Sequence, residues 1–140
     1  MKISTKGRYA LRLMLDIALT GGEEPVSLRD VARRQDISDK YLEQIITPLA
    51  RAGLVRSVRG AGGGYLLTKA PEEYTVGEIL RVLEGSLVPV SCAESKDCCG
   101  RAEGCVTQEV WEQIAQAVSS VVDHITLGEL VRRYGEKVNR

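Results

Sequence analysis

All four cysteines of the chain, Cys92, Cys98, Cys99 and Cys105, fall within one short stretch, SCAESKDCCGRAEGC. Thiolates are soft ligands for zinc and for iron–sulfur clusters. Where thiols stay reduced, clustered cysteines point to metal or redox chemistry rather than to a disulfide framework. The stretch is therefore read as a metal-holding loop. Zinc is one rival, but structural zinc sites usually draw on cysteine pairs two to four residues apart, often with histidine. No such pair occurs here, and His124 is the only histidine. A bare thiol switch is another, because adjacent accessible cysteines oxidise readily. An enzyme is excluded: a lone histidine, with no nucleophile and partnering base, leaves little from which to build a catalytic site.

The elements that must position this loop follow from composition and periodicity. The 140 residues make one domain, 44% hydrophobic, with no Phe, five Tyr and one Trp, so the core is aliphatic. The net charge of zero conceals an asymmetry. Residues 1–69 carry twelve Lys+Arg against seven Asp+Glu, net +5, and residues 70–140 carry seven against twelve, net −5. A basic half beside an acidic half predicts that one part meets nucleic acid. No apolar run approaches the ~20 residues that span a bilayer. Lys2, Lys6, Arg8 and Arg12 resemble the start of a signal peptide, but Asp16 breaks the apolar stretch and no cleavage site follows. The expected location is the cytoplasm, with no membrane partner.

Ala10, Leu11, Met14, Leu15, Ile17 and Ala18 recur at helical spacing, between a cap at Ser4 or Thr5 and a stop at Gly21-Gly22. Lys6, Arg8 and Arg12 at its start are either phosphate contacts or solvated charges. Ser27 caps a short helix with Leu28, Val31 and Ala32 facing inward; Gln35-Asp36-Ile37 turns the chain. Ser38 then caps a second helix with Leu42, Ile45, Ile46 and Leu49 inward, ending near Ala52-Gly53 and bent at Pro48. This is a helix-turn-helix, whose second helix enters a major groove. Ser38, Lys40, Tyr41, Glu43 and Gln44 lie where base edges are read: Gln bridges adenine, and Glu accepts from cytosine.

Two strands, 54–58 and 65–68, flank the glycine-rich segment 59–64 and form a wing, with Arg59 aimed at a narrow minor groove. A nucleotide-phosphate loop is disfavoured because a strand, not a helix, follows the glycines. Thr75 caps a further helix ended by Gly85. Beyond the cysteines, Val110, Ile114, Ala117, Val118, Val121 and Ile125 form one long stripe suited to a second copy of the chain. Leu127, Leu130, Val131 and Tyr134 form a closing helix over the remaining apolar edge.

The strings STKGRYAL, YLEQ, AGLVRSVRGAGGGYLL, VGEILRVLEG and ITLGELV resemble the IscR/CymR/NsrR-type (Rrf-two) bacterial winged-helix regulators over nearly the whole chain. The fold implied is mainly α with a small β-hairpin. A winged helix-turn-helix part covers 1–85, with the helix-turn-helix over about 27–52 and the wing over 54–68. A cysteine loop covers 86–106, and a long dimerisation helix with its closing helix covers 107–140. The resemblance implies a homodimer on palindromic double-stranded DNA, a repressor with an effector loop, and base reading by residues among Ser38, Lys40, Tyr41, Glu43 and Gln44, with Arg59 in the minor groove.

Within that family some members hold an iron–sulfur cluster on three loop cysteines, while the cysteine-metabolism type answers to a partner enzyme of cysteine biosynthesis. The cysteine loop resembles the former, implying a 2Fe-2S rather than a 4Fe-4S cluster; the N-terminal and wing strings resemble the latter. Cys92, Cys98 and Cys105 match the three ligands with one extra residue, so Cys99 is an alternative middle ligand or a fourth. The family's fourth-ligand positions hold Gln108 and Arg8 here, neither suited to iron, which leaves Cys99, Glu103, Glu109 or Glu112 to complete the site. His124, nineteen residues past Cys105 and roughly 28 Å along a helix, is read as structural, and Trp111 as core.

Overall fold

The computed structural model describes residues 2–95, 100–101 and 103–139. Among the described residues six helices and one hairpin follow in order: α1 (Thr5–Thr20), α2 (Leu28–Gln35), α3 (Asp39–Arg51), β1 (Val55–Val58), β2 (Gly64–Leu67), α4 (Val76–Glu84), α5 (Val106–Val122) and α6 (Leu127–Val138). Short 3-10 turns lie at Pro71–Glu73 and Ser91–Ala93. The fold is mainly α with one antiparallel hairpin, as expected.

Five helices start on a hydroxyl that accepts an orphan backbone N–H from the first turn. Ser4 caps α1, Ser27 α2, Ser38 α3, Thr75 α4 and Thr126 α6, at 3.0–3.2 Å. The helix-turn-helix turn is closed by Asp36 in the left-handed region (φ 54°), which a short polar side chain tolerates. α3 continues a turn past Pro48, and the Ala52 N–H donates to the Pro48 carbonyl at 3.0 Å.

The wing strands are shifted from the expected 54–58 and 65–68, for two local reasons. Leu54 is still part of the turn out of α3, its N–H donating to Leu49 O (3.0 Å), while the Thr68 N–H leaves the ladder for the Tyr74 hydroxyl (2.9 Å). A third segment joins the hairpin edge, unforeseen in the sequence: Val26 and Tyr65 exchange both backbone bonds, at 2.8 and 2.9 Å. Gly64 permits this approach, since a Cβ there would stand 2.4 Å from Val26 O.

The main core gathers α1, α2, α3, the wing root, α4 and α6 around Leu13, Met14, Leu42, Ile45, Leu49 and Ile79, each fully buried. A smaller cluster of Val76, Leu80 and Leu87 seats Val118, Val122 and Ile125. α5 stops at Val122, so Ile125 lies beyond the helix, where its carbonyl accepts the Val76 N–H at 2.9 Å. The closing helix buries Leu127 completely and packs Leu130 on the core, but leaves Tyr134 48% exposed; its cover of the apolar edge stops short of that ring. Trp111 is half-buried and outside both clusters. Among the described residues no helix is long and apolar enough to cross a membrane.

Candidate nucleic-acid interface and cysteine site

α3 separates its two sides sharply. Leu42, Ile45, Ile46 and Leu49 are at most 2% exposed, whereas Ser38, Asp39, Lys40, Glu43 and Gln44 all face solvent. Burying four aliphatic side chains, at roughly 1.5–3 kcal/mol each, fixes the helix's rotation and so decides which residues project. Tyr41 is half-buried, its ring edge-on to Tyr9 of α1 with centroids 5.8 Å apart. Arg59, just past β1, is exposed beside the exposed wing tip. Five of the six expected DNA-reading residues thus lie together at the start of the second helix, and the sixth lies on the wing.

Arg12 is exposed, and its guanidinium is also tied within the chain. Its Nε donates to Gln35 Oε1 (3.0 Å) and its Nη2 to Gln35 O (2.9 Å), clamping α1 to the end of α2 while its guanidinium lies 5.0 Å from the Tyr9 ring centre. Asp16, only 3% exposed, completes this joint. It accepts from Arg34 Nη2 at 2.6 Å and from Gln35 Nε2 at 2.9 Å, and it raises the Arg34 pKa by hydrogen bonding. A carboxylate beside Ile17 on an inward helical stripe was the signal for this pair, because a buried charge demands a partner.

At the other end, Cys92 sits in the Ser91–Ala93 turn and Cys105 immediately precedes α5, both half-buried. The Gln108 side chain brings them to the same helix start: it is 4% exposed, and its Nε2 donates to Cys92 O at 2.9 Å. Cys105 occupies the position that serine or threonine holds at the other helix starts, without a formed cap bond. The Thr107 hydroxyl, 3.3 Å from the sulfur, and then the backbone N–H of Gln108 hold its thiol below the ordinary pKa, favouring the thiolate. Glu112 lines the same groove as Cys92, with Ala115, Gln116 and Ser119. Glu103, Glu109 and His124 are exposed, as is Arg8 of α1, whose guanidinium lies 5.8 Å from the Tyr9 ring centre. Cys98 and Cys99 lie outside the described residues. Among the described residues no three His, Cys, Asp or Glu side chains gather for a metal. The two described thiols are soft-metal ligands by type: Cys105 stands at the N-terminus of α5, where the dipole favours anionic sulfur, and the Cys92 turn is tied to the first turn of that helix through Gln108.

The two sites are joined through the middle of the chain. Tyr74 is fully buried; its hydroxyl donates to Leu54 O (2.7 Å) and accepts from Thr68 N (2.9 Å), closing the wing root across both strands. Its own carbonyl accepts the Leu127 N–H at 3.0 Å, so the same residue holds the α5–α6 joint. Arg81 of α4 grips Asp123 at the end of α5, Nη2 to Oδ2 at 3.0 Å, and with Ser119 depresses the Asp123 pKa to about 2. Gly77 lets these elements meet, since a Cβ would stand 2.2 Å from Asp123 Oδ1.

Comparison with known proteins fits this architecture. Residues 3–133 match the Rrf2 family, described as an iron-dependent transcriptional regulator. The HTH-type transcriptional regulator CymR of Bacillus subtilis is 46% identical over 130 residues, 93% of this chain and 89% of its own. A solved structure of CymR, "the Global Cysteine Regulator of B. subtilis", superposes with a TM-score of 0.81 at 44% identity, covering 95% of this chain and 98% of that one. The structure of T. potens IscR does so with a TM-score of 0.79, also at 44% identity, covering 98% and 90%. Relatives named IscR and relatives named CymR are thus equally near. The capped recognition helix, the wing and the match over residues 3–133 together make this chain a member of the Rrf2 family of DNA-binding transcriptional regulators, and not an enzyme.

Proposed function

We propose that the chain is a homodimeric repressor that senses iron–sulfur status through its cysteine loop and controls genes of iron–sulfur cluster biogenesis from a palindromic promoter site. The observation that carries this reading is the tie of the Cys92 turn to the start of α5, which Cys105 immediately precedes, made by Gln108 bonded to the Cys92 carbonyl. Cys92, Cys98 and Cys105 would hold the cluster, with Cys99 as replacement or fourth ligand and a 2Fe-2S form favoured. When bound, such a cluster supplies redox sensitivity. The chain's own residues do the rest: they order the loop on α5, and the Arg81–Asp123 pair and Tyr74 carry the position of α5 to the wing. Dimerisation is supported by Val106, Val110 and Val121, which leave α5 with an exposed apolar stripe.

On the DNA side, Ser38, Lys40, Tyr41, Glu43 and Gln44 read the major groove and Arg59 the minor groove. Arg59→Ala is expected to weaken binding most at sites with narrow A·T-rich flanks, and Glu43→Ala to broaden the sequences accepted. Equal losses on specific and random duplexes for both variants, measured by competition binding, would contradict that division. The second reading is a regulator of cysteine metabolism that docks a cysteine-biosynthetic enzyme, favoured by the 46% identity to CymR. Retained promoter binding after every cysteine is replaced, with DNA release on adding such an enzyme, would select it.

A further inference from the structure

Two polar or charged side chains of the described residues are buried, Asp16 and Gln108. Asp16 is accounted for by Arg34 and Gln35. Gln108 instead meets a main-chain carbonyl, that of Cys92, sixteen positions earlier. It is also the one described residue of α5 that is fully buried, on a helix whose apolar side chains remain at least partly exposed. The bond is therefore no by-product of core packing. A carbonyl oxygen only accepts, so the amide nitrogen must face Cys92, and the side chain's orientation is set by its partner.

We propose that Gln108 is a positioning residue: it clasps the Cys92 turn to the first turn of α5 and so registers Cys92 against Cys105, three residues before it, as a pair for one soft-metal site. Gln108 is not itself a ligand, because its nitrogen end is committed and an amide oxygen is a poor match for iron. The clasp acts by closing the long loop between the outer cysteines before any ligand arrives, which lowers the ordering cost of binding. It rests on the reading of the stretch as a cluster site, and it is tested in a way that separates the two.

The test uses reduced, metal-stripped full-length protein, labelled with iodoacetamide and digested with trypsin. Cleavage after Arg81, Lys96, Arg101 and Arg132 places Cys92, the Cys98–Cys99 pair and Cys105 on three different peptides. Gln108→Glu keeps the length but loses the donor, and Gln108→Ala loses both. In each, Cys92 is expected to label about fivefold faster than in wild type, the loss of one hydrogen bond, with Cys105 changed by less than about twofold. Binding of Cd2+ as a soft-ion probe should weaken in Gln108→Ala by about the same fivefold factor. An unchanged Cys92 rate would overturn the clasp. So would Cys92 and Cys105 accelerating together, which marks a frayed α5, or an unchanged Cd2+ affinity. A wild-type protein that never holds iron and sulfide would overturn the cluster reading alone, leaving the labelling and Cd2+ contrasts to decide the clasp.

Discussion

α3 and α5 begin differently. At the start of α3 the Ser38 hydroxyl takes the Tyr41 N–H at 3.1 Å, and four aliphatic residues behind it are buried to 2% exposure or less. At the start of α5 the capping position is a cysteine without a cap bond, and the one fully buried residue of the helix is an amide holding a loop. The reading helix is finished within one chain: its ends are satisfied, its inner side is filled, and what projects is free for a ligand. α5 is unfinished, with Val106 72% and Val121 54% exposed and with a thiol, that of Cys105, where a hydroxyl would serve. The proposed function supplies what such a helix lacks: a second copy along its side and an electrophilic ligand at its start.

If this contrast is right, damage to the reading half costs folding stability, and damage to the sensing end costs ligand retention. The largest effect on stability is expected from Arg34→Met, which leaves the buried Asp16 carboxylate only neutral donors, Gln35 at 2.9 Å and the Thr20 hydroxyl at 3.5 Å. A loss of about 2–4 kcal/mol in urea denaturation is predicted, and a loss below about 1 kcal/mol would place this pair with ordinary surface pairs. Tyr74→Phe comes next. It removes the hydroxyl from Leu54 O and Thr68 N at the wing root and should cost about 1–3 kcal/mol. Amide exchange should accelerate in β1 and β2 more than in α1; uniform acceleration would deny Tyr74 its specific hold on the wing.

The smallest effect concerns the tie between the two regions. The Arg81–Asp123 pair is partly exposed, so at neutral pH Asp123→Asn should cost no more than about 1 kcal/mol. Its signature is in the pH profile. The folded-state pKa of about 2 lies below the ordinary 3.8, so the stability from this carboxylate is complete above the higher value. It is lost as pH falls from 3.8 toward 2, where the unfolded chain binds the proton first. Asp123→Asn should flatten the acid limb of the stability curve in that window, and an unchanged limb would mean the tie is not made in solution.

The parts of the fold that were legible in the sequence are those governed by nearby residues. Ser27, Ser38 and Thr75 announce helix starts through spacing alone, and the aliphatic stripe of α3 announces its inner side, so the exposed positions Lys40, Glu43 and Gln44 followed. What stayed hidden depends on partners distant in sequence. Nothing near Val26 signals its bridge to Tyr65, and nothing near Arg12 signals Gln35. As a ligand Gln108 fails through its amide, and its role as a clasp depends on a carbonyl sixteen residues away. Its position one turn after a cysteine, at the start of a helix, was the available hint that it serves the loop instead.

The most direct test of the account is the iron and acid-labile sulfide content of the protein purified without air, together with its visible spectrum. The account predicts a coloured protein with iron and sulfide in equal amounts, bleached when Cys92 or Cys105 is replaced by alanine while the fold is retained. A colourless protein carrying stoichiometric zinc, or iron unaffected by those replacements, would contradict it.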